Sequence, residues 1–278
     1  MSGTASGDDA RADPAATPAA PVDHRIPTGD GALHAREWRP GADRGRAPVV
    51  LLHDSLGCVA LWREFPSRLA QASGRRVIAY DRLGFGRSDP HPGRLPRSFI
   101  GDEAHAGFDA VRRALGIGRF AAFGHSVGGG MAAGCAAAWP DDCAGLVTES
   151  AQAFVEERTV AGILAARDAF ARPGQLDRLS RHHGDRAAWV LSAWIDTWLA
   201  PDFADWTLDD TLRRVRCPSL VLHGEHDEYG TALHPQRIAA LTAGDSILQL
   251  LDGCGHLPHR EQPERVLGLV ADWLEGVE

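Results

Sequence analysis

Ser126 lies between two glycines in the segment Gly-His-Ser-Val-Gly at 124–128. An apolar run precedes this segment and an alanine-rich stretch follows it, which predicts a sharp turn from a strand into a helix. Glycines avoid the collisions that side chains would make in such a turn, and the helix dipole favours negative charge there. The pattern indicates a nucleophile, with an idle serine as the alternative. His125 is interpreted as a residue that fills the variable position of the turn.

A serine hydroxyl needs a base to accept its proton and a carboxylate to orient that base. His256 follows a predicted strand at 247–251, and Asp227 follows one at 219–222. Loops after parallel strands gather at the carboxyl edge of a sheet. We therefore predict that His256 is the base for Ser126 and that Asp227 orients it. The alternatives left open are His259 for the base and Glu225 or Glu228 for the carboxylate.

Short apolar runs alternate with helical stretches along most of the chain. This pattern favours an α/β class, with a mostly parallel twisted sheet and helices on both faces. The predicted strands are 48–53, 77–80, 120–123, 145–148, 219–222 and 247–251. The predicted helices are 61–71, 99–115 and 127–138, the last ended by Pro140.

The alternation of strands and helices divides the chain into regions. Residues 1–22 carry almost no large apolar side chains and are predicted to be a disordered arm. Residues 23–150 and 217–278 form the predicted core domain, and 151–216 form a predicted helical cap insertion. Four side chains are candidates for the substrate pocket: His53, Trp189, Trp194 and Trp198. The alternative for the tryptophans is that they only pack the insertion onto the sheet.

Composition excludes several classes of function. The net charge is -8 and all 29 basic residues are arginine, which makes nucleic acid an improbable partner. The five cysteines are widely spaced, so neither a disulfide framework nor a zinc or other metal site is expected. The segment Gly84-Phe-Gly86 lacks the third glycine of a dinucleotide site, and no cofactor is expected. Neither a signal peptide nor a membrane span is apparent, so a cytoplasmic location without membrane contact is expected.

The motifs together resemble those of the α/β-hydrolase superfamily, in its serine-nucleophile, cap-bearing branch. The segments that carry the resemblance are GHSVG at 124–128, HGEHD at 223–227, GCGH at 253–256, HDSLG at 53–57 and DRLGFGRS at 81–88. The resemblance extends from about residue 32 to the end and is weaker across the insertion. It implies the α/β-hydrolase fold and hydrolytic or related acyl chemistry, in agreement with the chain order Ser, Asp, His.

Two backbone N–H groups are expected to stabilise the oxyanion of such a reaction. One is that of Val127, directly after the nucleophile. The resemblance assigns the second to Ser55, in the loop after the strand at 48–53. Many relatives have His-Gly where this chain has His53-Asp54. A carboxylate beside an anion site is unfavourable, so the Asp54 side chain is expected to point away from it.

The predicted function is hydrolysis of a small carboxylic ester through an acyl-enzyme, with a small molecule as the only expected partner. Cleavage of a carbon-carbon bond in a ring-fission diketone is the chemical alternative. A ligand-binding receptor that keeps the fold but has little turnover is the alternative from another class. The sequence makes no prediction of the oligomeric state.

Overall fold

The computed structural model describes residues 19–278, so residues 1–18 of the predicted arm lie outside the described residues. Eight strands form a single sheet in the order β1-β2-β4-β3-β5-β6-β7-β8. Strand β2 is antiparallel to both β1 and β4, and all other pairs are parallel. The strands are β1 (Val22–Thr28), β2 (Gly31–Trp38), β3 (Val49–Leu52), β4 (Val77–Tyr80), β5 (Phe120–His125), β6 (Cys143–Glu149), β7 (Ser219–Gly224) and β8 (Ser246–Leu251).

Helices cover both faces of this sheet. They are α1 (Phe65–Ser73), α2 (Phe99–Asp102), α3 (Gly107–Ala114), α4 (Val127–Ala138), α5 (Glu157–Phe170), α6 (Gln175–His183), α7 (Ala187–Trp198), α8 (Asp209–Leu212), α9 (Leu233–Leu241), α10 (Pro258–Glu261) and α11 (Pro263–Glu275). Within residues 19–278, none of them combines the length and the apolar composition that a membrane crossing requires.

The α/β fold class predicted from the sequence is confirmed. A strand lies at each of the six predicted positions, and α4 has the predicted bounds. The sequence pattern missed the hairpin of β1 and β2, because β1 is an exposed edge strand and β2 carries His34, Arg36 and Glu37 among its apolar residues. The helix predicted at 99–115 is in fact two helices, α2 and α3. The chain turns at residues 103–106, and α3 begins at Gly107.

Two hydrophobic layers enclose the sheet, and β5 contributes to both. Phe120 and Ala122 pack on the face that α4 covers, whereas Ala121 and Phe123 pack on the face that α1 and α11 cover. This alternation is expected of a strand whose successive side chains point to opposite faces. The strand is buried along its whole length, so the turn that follows it has a firmly held base.

Helices α5 to α8 lie between β6 and β7, in the stretch where the sequence predicts a cap. Side chains of α5 and α7 line a cavity together with loops at the carboxyl edge of the sheet. Helices α5 and α7 therefore lie at the carboxyl edge of the sheet, next to the residues that the motifs single out.

Candidate active site

Ser126 occupies the turn between β5 and α4 in a strained backbone conformation, with φ 56° and ψ -126°. The two flanking glycines allow this turn. A Cβ on Gly124 would lie 1.9 Å from the Gly128 carbonyl oxygen, and one on Gly128 would lie 2.1 Å from the Leu52 carbonyl oxygen. Both contacts are far shorter than van der Waals distances, and both involve backbone atoms. Glycine is therefore required at each position for the serine to be presented on this turn.

The structure brings together the two side chains that the sequence analysis proposes as base and orienting carboxylate. His256 Nδ1 lies 2.9 Å from both carboxylate oxygens of Asp227. Asp227 is fully buried and also accepts a hydrogen bond of 2.8 Å from the Tyr229 N–H. A carboxylate can only accept, so His256 Nδ1 donates, and Nε2 is left as the basic nitrogen. Burial raises the pKa of Asp227, but the His256 and His223 rings and the Tyr229 N–H outweigh burial and lower it.

Ser126 and His256 line the same cavity, but no hydrogen bond joins the Ser126 hydroxyl to the His256 ring. Instead, Ser126 Oγ donates to Gln152 Oε1 at 3.4 Å, and Gln152 is buried. Rotation about the Cα–Cβ bond of the serine would release this bond. Hydrogen bonds of this kind are often long or misaligned until substrate binds. The sequence contains no motif that would have singled out Gln152.

The alternative residues for base and orienter have other contacts. His259 donates from Nδ1 to Glu149 Oε2 at 2.6 Å, and its backbone N–H donates to Glu149 Oε1 at 2.7 Å. Glu225 and Glu228 are both exposed. Neither carboxylate is hydrogen-bonded to the His256 ring, whose Nδ1 is fully used by Asp227.

The two backbone groups proposed for the oxyanion are available. Val127 is the first residue of α4, so its N–H has no partner one turn earlier in the helix. Ser55 lies in the loop after β3 and lines the cavity that contains Ser126. Within residues 19–278, neither N–H donates a hydrogen bond.

Asp54, next to Ser55, folds back onto its own loop. Its Oδ1 accepts a hydrogen bond of 2.8 Å from the Leu56 N–H, and its Oδ2 lies 3.5 Å from His125 Nδ1. Burial raises the pKa of this carboxyl, but the His125 ring outweighs burial and the net shift is downward. The carboxylate therefore has the His125 ring and a backbone donor beside it.

His53, one of the four candidates for the pocket, lines the cavity as a neutral ring. Its Nδ1 donates to the Asp54 carbonyl at 2.8 Å, and its Nε2 accepts from the Arg82 N–H at 3.2 Å. Burial and the Arg82 charge lower the pKa of His53 to about 3. Both nitrogens are used, so His53 supports its loop and has no free nitrogen for proton transfer.

Two of the three candidate tryptophans line a cavity of about 270 Å³ that also contains Ser126. Trp194 and Trp198 lie one helical turn apart on α7 and share the face toward this cavity. Trp189 lies outside it, which corrects its assignment to the pocket. Its ring stacks on His91 and its Nε1 donates to the Gly93 carbonyl at 3.0 Å. A separation of five residues places Trp189 on another face of the helix than Trp194.

Within residues 19–278, possible metal-ligand atoms of three side chains lie within 4.8 Å of one another. The three residues are His125, Glu149 and His259. Hydrogen bonds already occupy these atoms. Glu149 holds His259 as described above, and His125 Nε2 lies 2.8 Å from the His256 carbonyl oxygen. We interpret the group as a buried hydrogen-bond network beneath the nucleophile.

A family model described as alpha/beta hydrolase fold matches residues 47–207. The chain belongs to this family. The match covers more than half of the chain and includes the loop after β3, the serine turn and most of the insertion. It confirms the family resemblance of the sequence motifs and supports a hydrolase activity, without specifying the substrate.

Relatives of this α/β hydrolase are named for different activities. A proline iminopeptidase of Lactobacillus helveticus is 24% identical over 275 residues, covering 83% of this chain and 90% of the relative. A 2-hydroxy-6-oxononadienedioate/2-hydroxy-6-oxononatrienedioate hydrolase of Pseudomonas putida is 26% identical over 274 residues, covering 87% and 91%. The solved structure of a thermophilic esterase from Thermogutta terrifontis superposes with a TM-score of 0.69 at 22% identity, covering 93% and 99%. Family membership thus establishes the fold and leaves the substrate open.

Proposed function

We propose that the protein hydrolyses small carboxylic esters through an acyl-enzyme on Ser126. The observation that carries the proposal is the pairing of His256 Nδ1 with both oxygens of buried Asp227, beside a strained serine in one cavity. Ser126 Oγ attacks the carbonyl carbon while His256 Nε2 accepts its proton. The same proton then passes to the leaving alcohol, and water attacks the acyl-enzyme in the reverse sense.

The oxyanion of each tetrahedral intermediate would be stabilised by the N–H groups of Val127 and Ser55. Both are unpartnered within the described chain, so they need not break other bonds before they can donate. One is also at the N-terminus of α4, where the helix dipole favours an anion. Removal of a single donor of this kind costs roughly 10²- to 10³-fold in kcat in other hydrolases.

The cavity supports a small and partly apolar acyl group. Its volume is about 270 Å³, and Ile163, Trp194 and Trp198 of the insertion contribute apolar surface. We propose that residues 151–216 act as a cap that closes over this group. A serine nucleophile suits esters, thioesters and related acyl compounds because it forms an acyl-enzyme with them.

The proposal is tested with short-chain 4-nitrophenyl esters and a fluorophosphonate probe. The wild-type protein should show a burst of one equivalent of nitrophenol, steady turnover and labelling at Ser126. Ser126→Ala should lose labelling and turnover, while Ser192→Ala on α7 should keep both. Labelling that survives in Ser126→Ala would overturn the assignment. A burst with no subsequent turnover would favour the ligand-binding alternative.

Carbon-carbon bond cleavage in a ring-fission diketone remains a second candidate, because a specific residue favours it. Arg260 lines the same cavity as Ser126 and, within residues 19–278, its side chain forms no hydrogen bond or ion pair. Burial, followed by repulsion from Arg63, lowers its pKa. Ring-fission products carry a carboxylate, which an unpaired guanidinium would bind. The Pseudomonas putida relative is named for such a dienedioate substrate.

Arg260→Gln separates the two candidates. If the substrate carries a carboxylate, the variant should raise KM for a dienoate diketone or a hemisuccinate ester by tenfold or more, while KM for a neutral butyrate ester stays within about twofold. Arg63→Gln, at an exposed residue outside the lining of this cavity, is the control. Equal effects on charged and neutral substrates would exclude Arg260 as a carboxylate anchor.

A further inference from the structure

The residue before the nucleophile, His125, is buried where three loops meet at the carboxyl edge of the sheet. Its ring belongs to the end of β5 and the residue is 1% exposed. Nε2 lies 2.8 Å from the carbonyl oxygen of His256, in the loop after β8. Nδ1 lies 3.5 Å from Asp54 Oδ2, in the loop after β3. A single side chain thus contacts both the loop of the base and the loop of the oxyanion donor.

Both ring nitrogens face acceptors. A backbone carbonyl can only accept, so Nε2 must carry a hydrogen, and the Asp54 carboxylate favours a second hydrogen on Nδ1. The resulting charge is compatible with the surroundings, since Glu149 also lies close by at the end of β6. The other titratable neighbours are the rings of His256 and His259, each with its centroid 5.1 Å from that of His125.

Groups on each of the neighbouring loops stabilise a positive charge on His125. Burial lowers the pKa of the ring, but Asp54, Glu149 and the His256 carbonyl outweigh burial and raise it to about 9. Glu149 is shared with His259, which is hydrogen-bonded to it twice. The Asp54 contact is a charge pair at 3.5 Å rather than a short hydrogen bond, so Asp54 is the partner whose removal changes His125 with the least disturbance of other bonds.

We propose that His125 is a positioning residue, which as an imidazolium holds the base loop and the oxyanion loop together and neutralises Asp54 beside the anion site. This inference rests on the proposed function at Ser126. It accounts for a carboxylate in the loop that also carries Ser55. The carboxylate is the counter-ion of a cation directly behind the nucleophile.

The proposal has a consequence at alkaline pH. When His125 loses its proton, Asp54 loses the cation that lies 3.5 Å from its Oδ2. Arg82 and Arg260 still act on Asp54, but the negative charge beside the developing oxyanion becomes less compensated. Activity should therefore fall as pH rises through the pKa of His125. Two other groups of the cavity, Cys58 and Tyr229, do not titrate in that range, since burial raises the pKa of each to about 12.

The experiment compares pH profiles of kcat and kcat/KM for a neutral ester from about pH 6 to about pH 10.5. The wild type should lose activity above about pH 9. Asp54→Asn keeps an acceptor for the Leu56 N–H but leaves no carboxylate beside the oxyanion, so it should remove this loss. His125→Gln keeps a donor for the His256 carbonyl but has no charge. It should show no alkaline loss and roughly 10- to 100-fold lower kcat at neutral pH.

The matched control is His105→Gln, an exposed histidine between α2 and α3, which should keep the wild-type profile. An alkaline loss that is retained in both Asp54→Asn and His125→Gln would overturn the proposal. If His125→Gln does not fold, NMR titration of the histidine ring protons in wild type and Asp54→Asn decides. One ring titrating near pH 9 in wild type, and lower in the variant, supports the proposal, whereas no such ring overturns it.

Fluorophosphonate labelling keeps the two proposals apart. Labelled Ser126 with an unchanged alkaline loss in the variants would overturn the role of His125 alone. Absence of labelling at Ser126 would overturn the proposed function. The NMR titration would still report whether His125 is charged.

Discussion

Replacement of Asp227 by asparagine tests the orientation of the base with almost no change of shape. In the wild type the carboxylate accepts from His256 Nδ1 at 2.9 Å and from the Tyr229 N–H at 2.8 Å. In Asp227→Asn the amide oxygen can still accept from Tyr229. The amide NH₂ would then face His256 Nδ1, which can accept from it only in the tautomer that has no hydrogen on Nδ1. The hydrogen would move to Nε2, so the nitrogen nearest the serine could no longer accept a proton.

The expected loss is large because the wrong tautomer is held in a buried site. The corresponding change in a serine protease lowers kcat about 10⁴-fold, which corresponds to roughly 5.4 kcal/mol in the activation free energy. Asp227 is fully buried here and its carboxylate contacts His256 through both oxygens. We therefore expect kcat for 4-nitrophenyl butyrate to fall about 10³- to 10⁴-fold, with KM within about threefold.

The assay is steady-state release of nitrophenol near pH 7.5, with urea unfolding to confirm that the variant is folded. Glu225→Gln is the control, since Glu225 is exposed and, among the described residues, accepts a hydrogen bond only from the Gly253 N–H at 3.3 Å. It should change kcat by less than threefold. A loss below tenfold in a folded Asp227→Asn protein would refute the assignment of the orienting carboxylate.

Three further predictions follow from the same surroundings. Gly128→Ala should lower the free energy of unfolding, measured in urea, by about 1 to 3 kcal/mol, because the new Cβ would collide with the Leu52 carbonyl oxygen. A loss under about 0.5 kcal/mol would show that this collision does not occur. Burial raises the pKa of Glu149, but His259 outweighs burial and lowers it, so its stabilisation should be complete above about pH 4.5 and lost as pH falls further. Glu149→Gln should therefore cost about 1.5 to 3 kcal/mol at pH 7 and flatten the acid dependence of urea unfolding; an unchanged acid slope would refute this. All five cysteines are buried and free, so a thiol reagent should react slowly with the native protein and rapidly with five thiols in urea; fast labelling of the native protein would contradict their burial.

The positions of the proposed nucleophile, base and carboxylate could be predicted because each follows a parallel strand with a recognisable apolar run. Local apolar runs predict β5, β7 and β8, and the topology of a parallel sheet then brings their carboxyl ends to one edge. The sequence therefore indicated Ser126, His256 and Asp227 without any measured distance. The family match confirms the fold in which these loops meet.

Contacts between loops could not be predicted in the same way. Asp54 and His125 lie 71 positions apart, and the 3.5 Å between their charged atoms depends on how two loops approach each other. Gln152 and Arg260 belong to no motif, so their places in the cavity follow only from the packed structure. Trp189 was predicted for the pocket because its residue type suits one, but the rotation of α7 directs it to His91.

The strained serine turn also depends on this network of loop contacts. A positive φ at a non-glycine residue persists only where the surroundings hold it in more than one way. The Ser126 N–H donates to the Glu149 carbonyl at 2.8 Å, and the Gly129 N–H donates to the Ser126 carbonyl at 2.8 Å. The Glu149 side chain is in turn fixed by His259. Glu149 thus supports the nucleophile through its backbone and the base loop through its side chain, so a variant at this position should lower activity by more than its cost in stability alone would predict.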